Sequence, residues 1–311
     1  MQSRNTCFKG EIMKLAIVGI FYDGYEDLWY DFLALFNKHW KDCPYSLYIV
    51  NNEKEINKNL ISIEKLQVIH AGKDAEYSKK VQTALTQIEA DYYLLLLEDF
   101  FVSQVVSTAE IESIARFVEK NEIDYYTMPM PEFVDKKEGE RSQGFERARN
   151  ISANKEYLFS CQPSIWKKEF LKLLIGKENF NAWIFEGIYA KNNFLRNNDF
   201  LSKSLVDYTN PLKLVHGALQ GKMLPNTVKK LQMSGYKLTT QRAVLTKKEN
   251  AKHEFKKLVH KMVKILNLNR IVNKIKKESV LDKYAKEIEE YGKKTISKDK
   301  IDEYMRERDG N

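Results

Sequence analysis

Cysteine is scarce in this sequence: Cys7, Cys43 and Cys161 are the three among 311 residues. They are too few and too scattered for a disulfide framework or a cysteine-based zinc site, and they suit a reducing, cytosolic compartment. Long apolar runs are lacking as well. The longest purely aliphatic stretch is Leu94–Leu97 and the mean hydropathy is −0.51. Nothing approaches the roughly 20 apolar residues that a membrane-spanning helix needs. Residues 1–12 are polar and hold no apolar h-region, so they read as a leader or an upstream start before Met13 rather than a signal peptide. No internal repeat is visible.

What is present is a globular composition, 43% hydrophobic and 30% charged, with a formal net charge of +8. That charge is unevenly placed. Residues 1–246 carry 32 basic and 31 acidic side chains, 247–278 carry 11 and 3, and 279–311 carry 8 and 9. A nearly neutral body therefore bears one basic segment, and a protein that coats nucleic acid is not expected.

Along the body, short apolar runs alternate with helical periodicity. Strands are expected at 14–21, 45–50, 66–69, 92–97 and 124–130, with the apolar run at 92–97 central. Helices are expected at 25–40, at 78–89 with Ser78 as N-cap, and at 108–120 with Thr108 as N-cap. Residues 131–155 read as a long charged excursion. A strand-like stretch at 157–165, a helix at 166–174, a loop at 176–181 and a late strand at 212–215 follow. The alternation predicts an α/β fold with a largely parallel sheet covered on both faces. Ligands of such sheets bind outside the carboxyl ends of the strands, which selects Tyr22-Asp23, Asn51-Asn52, His70 and Glu98-Asp99.

Three constellations could carry chemistry. Glu98-Asp99 directly follows the apolar strand, and paired carboxylates at such an edge suit Mg²⁺ or Mn²⁺ shared with substrate phosphates. The plain alternative is a turn whose acids are solvated or capping. Glu186, in Trp183-Ile184-Phe185-Glu186, is a lone acid in an aromatic patch, where a raised pKa suits a general base. In isolation it reads more often as a helix-start acid beside core aromatics. His216, after Leu214-Val215, can bind a metal or a phosphate oxygen, with Gly221-Lys222 just beyond. Alone, it too is more often structural.

Taken in order, FYDGYEDLW, SKKVQTALTQIEADYYLLLLEDFF, SCQPSIWKKEFLKLL, WIFE and LVHGALQGK resemble bacterial glycosyltransferases of the GT-A, nucleotide-diphospho-sugar type found in capsule and surface-polysaccharide synthesis. The resemblance spans roughly residues 14–236. It implies a GT-A-like, Rossmann-type mixed and mostly parallel sheet flanked by helices. A catalytic domain is expected at 13–246, followed by a helical extension at 247–311 made of a basic amphipathic helix at 252–278 and a mixed-charge, helical tail at 279–311. The resemblance implies donor contacts at Tyr22, Asp23, Asn51, His70, Lys80, Glu98, Asp99, His216 and Lys222, and a metal on Asp99, Glu98 and His216. It implies a catalytic base at Glu186 and acceptor contacts at Gln162, Trp166 and Trp183. Two departures stand out: Asn51 where a nucleotide-contacting acid is common, and Glu-Asp-Phe-Phe where the family's metal motif is Asp-x-Asp. The expected cofactor is Mg²⁺ or Mn²⁺, subject to that missing carboxylate. A non-catalytic partner in a glycan-synthesis complex is the alternative reading. A nucleotidyltransferase is weaker still, since no Gly-rich phosphate loop lies near Gly19–Gly24.

Residues 252–278 place apolar side chains at three- and four-residue intervals with lysines between, the pattern of a basic amphipathic helix. It suits an anionic membrane surface where a lipid-linked acceptor would be met, or packing on the body or a second copy of the chain. The expected location is cytoplasmic, on the inner face of the membrane, with no nucleic acid among the partners.

Overall fold

The computed structural model describes residues 13–57, 62–134, 139–142, 144–191, 195–252, 255 and 280–310. The expected leader 1–12 and nearly all of the basic segment 252–278 lie outside these residues.

Strand β1 (Leu15–Ile20) and strand β4 (Tyr92–Leu97) form the middle of the molecule. They pair in parallel from Leu15↔Tyr92 to Ile20↔Leu97. Their side chains alternate between two cores. Leu15, Ile17, Leu94 and Leu96 enter one, while Ala16, Val18, Tyr93 and Leu95 enter the other. A strand buried on both faces must be apolar throughout, which is why these runs are continuous. β2 (Leu47–Asn51) and β3 (Leu66–His70) extend the sheet in parallel on one side. On the other side come β8 (Ser164–Lys167), β6 (Tyr125–Thr127), β9 (Ser204–Asp207) and β7 (Ala148–Asn150). The order is β3-β2-β1-β4-β8-β6-β9-β7, with β8 and β7 running against the rest. The expected fold class holds: mixed α/β, mostly parallel, flanked by helices.

Helices α1 (Glu26–His39) and α3 (Thr108–Lys120) cover the first core. Helices α2 (Tyr77–Gln87), α4 (Lys168–Ile175) and α5 (Ala182–Lys191) cover the second. The short α6 (Asn198–Leu201) and α7 (Pro225–Met233) follow. A small ribbon pairs β5 (Phe100–Val102) with β10 (Leu214–His216), antiparallel, and β11 (Ala218–Leu219) with β12 (Lys222–Met223) makes another. None of the helices among the described residues is long and apolar enough to cross a membrane.

Several local expectations are corrected. Ser107, not Thr108, caps α3, its side chain accepting from Glu110 N–H, while Thr108 Oγ1 accepts from Trp40 Nε1 at 2.9 Å. Ser78 is no cap. Its hydroxyl donates to Glu178 O at 2.8 Å and accepts from Phe180 N–H at 2.7 Å, tying α2 to the 176–181 loop. The stretch 157–163 is irregular, and the strand expected there occupies Ser164–Lys167, so α4 begins at Lys168 rather than Trp166. The strand expected at 124–130 is confined to Tyr125–Thr127.

The chain ends in α8 (Val280–Lys283), α9 (Ala285–Thr295) and α10 (Lys298–Asp309). Ile288, Ile296, Ile301 and Tyr304 join the second core alongside α4 and α5. A Cβ on Gly187 of α5 would overlap Ile288, so the glycine allows the two helices to approach closely. Asp124, fully buried, receives the Tyr304 hydroxyl at 2.6 Å and Arg308 Nη1 at 3.3 Å.

Candidate active site

At the carboxyl edge of the sheet, the ends of β1 and β4 and the start of α2 converge. Tyr22, just past β1, is 56% exposed. Lys80 projects from the first turns of α2 and is 3% exposed. Its ammonium stands 5.4 Å from the centre of the Tyr22 ring, and among the described residues no hydrogen bond or ion pair closes on it. Burial pulls its pKa down, opposed by the nearby carboxylates of Glu98, Asp23 and Glu76. Glu98, buried in the turn after β4, has its pKa pushed up to about 8 by burial and then by Asp99. Backbone N–H groups of Glu98 and Tyr22 hold the Glu98 carboxyl, while Lys80 stays available to a third group.

Asp99 faces the β5–β10 ribbon. The register sets His216 opposite Phe100, which brings His216 Nε2 to 3.0 Å from Asp99 Oδ2. The crossing is close: Gly217 N–H donates to Asp99 O at 2.6 Å, and a Cβ on Gly217 would meet that oxygen at 2.9 Å and the Phe101 ring at 2.5 Å. Glu132 fixes His216 from the far side by accepting its backbone N–H at 2.6 Å. The 3.0 Å separation suits a direct hydrogen bond or two ligands of one cation. A carboxylate and an imidazole are a fair donor pair for Mn²⁺ whose other positions go to phosphate oxygens. Among the described residues no group of three or more His, Cys, Asp or Glu side chains is disposed to hold a metal ion, so such a cation would depend on the substrate's oxygens.

Glu186 lies beside the same edge. β8 runs antiparallel to β4 from Tyr92↔Lys167 to Leu95↔Ser164, so the residues just before β8 sit beside the end of β4. There Cys161 N–H donates to Glu186 Oε1 at 2.9 Å. Burial raises the Glu186 pKa and the Cys161 N–H bond moderates the rise. Trp183, 44% exposed, is three residues before Glu186 on α5, hence on the same face. Gln162 Oε1 accepts from Met130 N–H at 3.2 Å.

Other expected contacts serve the scaffold. The Asp23 carboxylate takes the backbone N–H groups of Asn52, Glu53 and Lys54 at 3.0, 2.9 and 3.0 Å, which holds the turn after β2. Asn51 is fully buried, donates to Lys54 O at 2.6 Å and meets His70 Nδ1 at 2.8 Å, while His70 Nε2 lies 3.2 Å from Glu55. Lys222 pairs with Glu249 at 2.5 Å, so its ammonium is already matched. Trp166 is 1% exposed and packs between Tyr125 and Phe170. It is a core residue and presents no surface to an acceptor.

Two residues at the site had no role in the sequence reading. Arg242 forks onto Asp27, with Nε–Oδ2 at 2.8 Å and Nη2–Oδ1 at 2.7 Å, and lies 4.0 Å over the Tyr25 ring. Burial raises the Tyr25 pKa; Arg242 opposes the rise, and Asp99 and Glu98 add to it. Tyr25 belongs to the FYDGYEDLW segment and could have been noticed there. Nothing local marks Arg242, more than 200 residues away.

No protein-family model matches the sequence, and no curated protein matches it. Among solved structures the chain is similar to S. aureus TarS at 17% identity and a TM-score of 0.42, covering 63% of this chain and 35% of that one. It is similar to S. aureus TarS 1–349 in complex with UDP-GlcNAc at 17% identity and 0.40, covering 63% and 56%. It is similar to a cytidylyltransferase from Leptospira borgpetersenii serovar Hardjo-bovis at 12% identity and 0.40, covering 63% and 76%. The chain thus spans about a third of the longer TarS chain, and scores below 0.5 settle neither ligand nor reaction.

Proposed function

We propose that this chain is a nucleotide-sugar-utilising enzyme, a glycosyltransferase that moves a sugar from a nucleoside-diphosphate donor to a hydroxyl of a surface-polysaccharide acceptor. The observation that carries this reading is Lys80: a buried ammonium with no hydrogen bond or ion pair among the described residues, set over the exposed Tyr22 ring at the carboxyl edge of the sheet. An unpaired buried charge costs several kcal/mol, and a diphosphate would neutralise it. Tyr22 offers a ring for the nucleobase, and Asp99 with His216 would hold a divalent cation against the diphosphate. Such a cation, when bound, supplies positive charge to the leaving group.

The chemistry assigned to the chain's own residues is direct displacement. The bond from the anomeric carbon to the diphosphate oxygen breaks, and its electron pair leaves with the nucleoside diphosphate. Lys80 stabilises the charge that develops there. The acceptor oxygen attacks from the opposite face and its proton passes to Glu186, so configuration inverts. Trp183 and Gln162, on either side of Glu186, would seat the acceptor. The basic segment 252–278 would bring the enzyme to an anionic membrane surface as a peripheral protein.

Thermal unfolding with a panel of nucleoside diphosphates, with and without Mn²⁺, tests the donor site. At least one should raise the midpoint, by RT ln(1 + [L]/Kd) in free energy. If none does, the donor reading falls. Glu186→Ala should keep that stabilisation and lose transfer; retained transfer would remove Glu186 as base.

A further inference from the structure

His216 also lines a cavity of about 300 Å³, together with Pro131, Glu132, Phe133 and Leu224. We propose that it is a carbohydrate subsite holding one neutral sugar ring of the acceptor; the word acceptor here rests on the transferase reading above. Three observations point to it.

The first is its place. Glu186 accepts from Cys161 N–H, the next residue Gln162 accepts from Met130 N–H, and the next residue Pro131 opens the cavity wall. Glu186 and the cavity wall are thus linked through two hydrogen bonds and two steps along the backbone. His216 closes the cavity toward the acidic pair.

The second is its lining. Phe133 is 46% exposed, and its ring centre lies 5.0 Å from that of His216. A half-exposed aromatic beside apolar Leu224 is a surface for the C–H face of a pyranose. Around it stand the side chains of Asn226, Asn250 and Lys230, which make no hydrogen bond or ion pair among the described residues, and Glu132, which uses one carboxylate oxygen on His216 N–H. Amides, an ammonium and a free carboxylate oxygen supply the donors and acceptors that ring hydroxyls require. An apolar wall with a few converging polar groups is the usual composition of a ligand cleft, and the volume matches the lower end of the usual range of about 300–1,000 Å³.

The third is its charge. One carboxylate and one ammonium line the space. The two charges balance, so the lining offers no net attraction to an anion such as a phosphate or a nucleotide.

Saturation-transfer NMR on the full chain with methyl glucoside, methyl galactoside and methyl N-acetylglucosaminide, each in both anomeric forms, tests the subsite. At least one should give transfer at millimolar concentration, and the signal should fall at least tenfold in Phe133→Ala and in Asn250→Ala. Both residues sit at the surface of the cavity, so the variants are expected to unfold with the wild-type midpoint and to keep nucleoside-diphosphate stabilisation. A bound nucleoside diphosphate should leave the glycoside signal in place. The subsite is overturned if no glycoside binds, or if binding survives both substitutions. Displacement of the glycoside by a nucleoside diphosphate would assign the ring to the donor and overturn the acceptor assignment. Loss of nucleoside-diphosphate binding with the glycoside signal intact would instead count against the donor site alone.

Discussion

Lys80 carries opposite consequences for stability and for binding. Its ammonium is buried with no hydrogen bond or ion pair among the described residues, so Lys80→Met should raise unfolding stability by about 1–3 kcal/mol. The same change should weaken nucleoside-diphosphate binding at least tenfold. Chemical denaturation and calorimetric titration of the one variant measure both, and a variant that is neither more stable nor weaker in binding would show that Lys80 is paired in solution. Glu186 gives a second expectation at this scale. Its pKa is raised by burial, so the acid limb of the transfer rate should have its midpoint above the ordinary Glu value of about 4.3. In Glu186→Gln that limb disappears together with the rate. The strand ends at Glu98-Asp99 and His216 were legible in the sequence because each follows an apolar run. The partners of Asp23, Asn51 and Lys222 within the fold were not legible, since strand-end position does not reveal the backbone amides, the histidine and Glu249 that meet them.

Among the elements, β1, β4 and α3 were legible to within a residue or two, because burial on both faces or along one stripe leaves an unmistakable periodicity. The stretch 157–163 was misread for an instructive reason. Leu158 and Phe159 are fully buried, yet they reach the second core from irregular backbone, and apolar content alone does not separate that from a strand. The last helices were expected as a helical extension, but their docking onto the second core was not legible: Ile288, Ile301 and Tyr304 are sparse among lysines and glutamates. Their docking is testable at Arg308, whose side chain is 4% exposed against a fully buried Asp124. Arg308→Ala leaves that carboxylate without its cation and should cost about 3–5 kcal/mol. Adding Asp124→Asn should restore part of the loss in denaturant unfolding, and a purely additive double variant would count against the pair.

For the whole molecule, pH and charge give the accessible readouts. Glu98 has a folded-state pKa of about 8, above its unfolded value of about 4.3. The folded chain therefore holds this proton more tightly, and the associated stability is complete below about pH 4 and lost as pH rises through 8. In metal-free buffer, Glu98→Gln should flatten the decline of the thermal midpoint between pH 5 and pH 8, while an unchanged slope would show that another group governs it. The net charge of +8 belongs to residues 247–278. Co-sedimentation with vesicles rich in anionic lipid should therefore be strong at low salt, weaken as salt is raised, and vanish when the lysines of that segment are replaced by glutamine. Binding that ignored salt would point to a different contact.

The docking of α9 and α10 also has a consequence for the order in which this protein is made. The second core is begun by β1 and α2 and lined by α4 and α5, but the side chains that close it come from residues 288–304. At about 5–20 residues per second, the roughly 100 residues separating α5 from Tyr304 take roughly 5–20 s to emerge from the ribosome. Through that interval the apolar face of α5 has no cover, and a nascent chain stalled there would expose it to chaperones and to its neighbours on the same message.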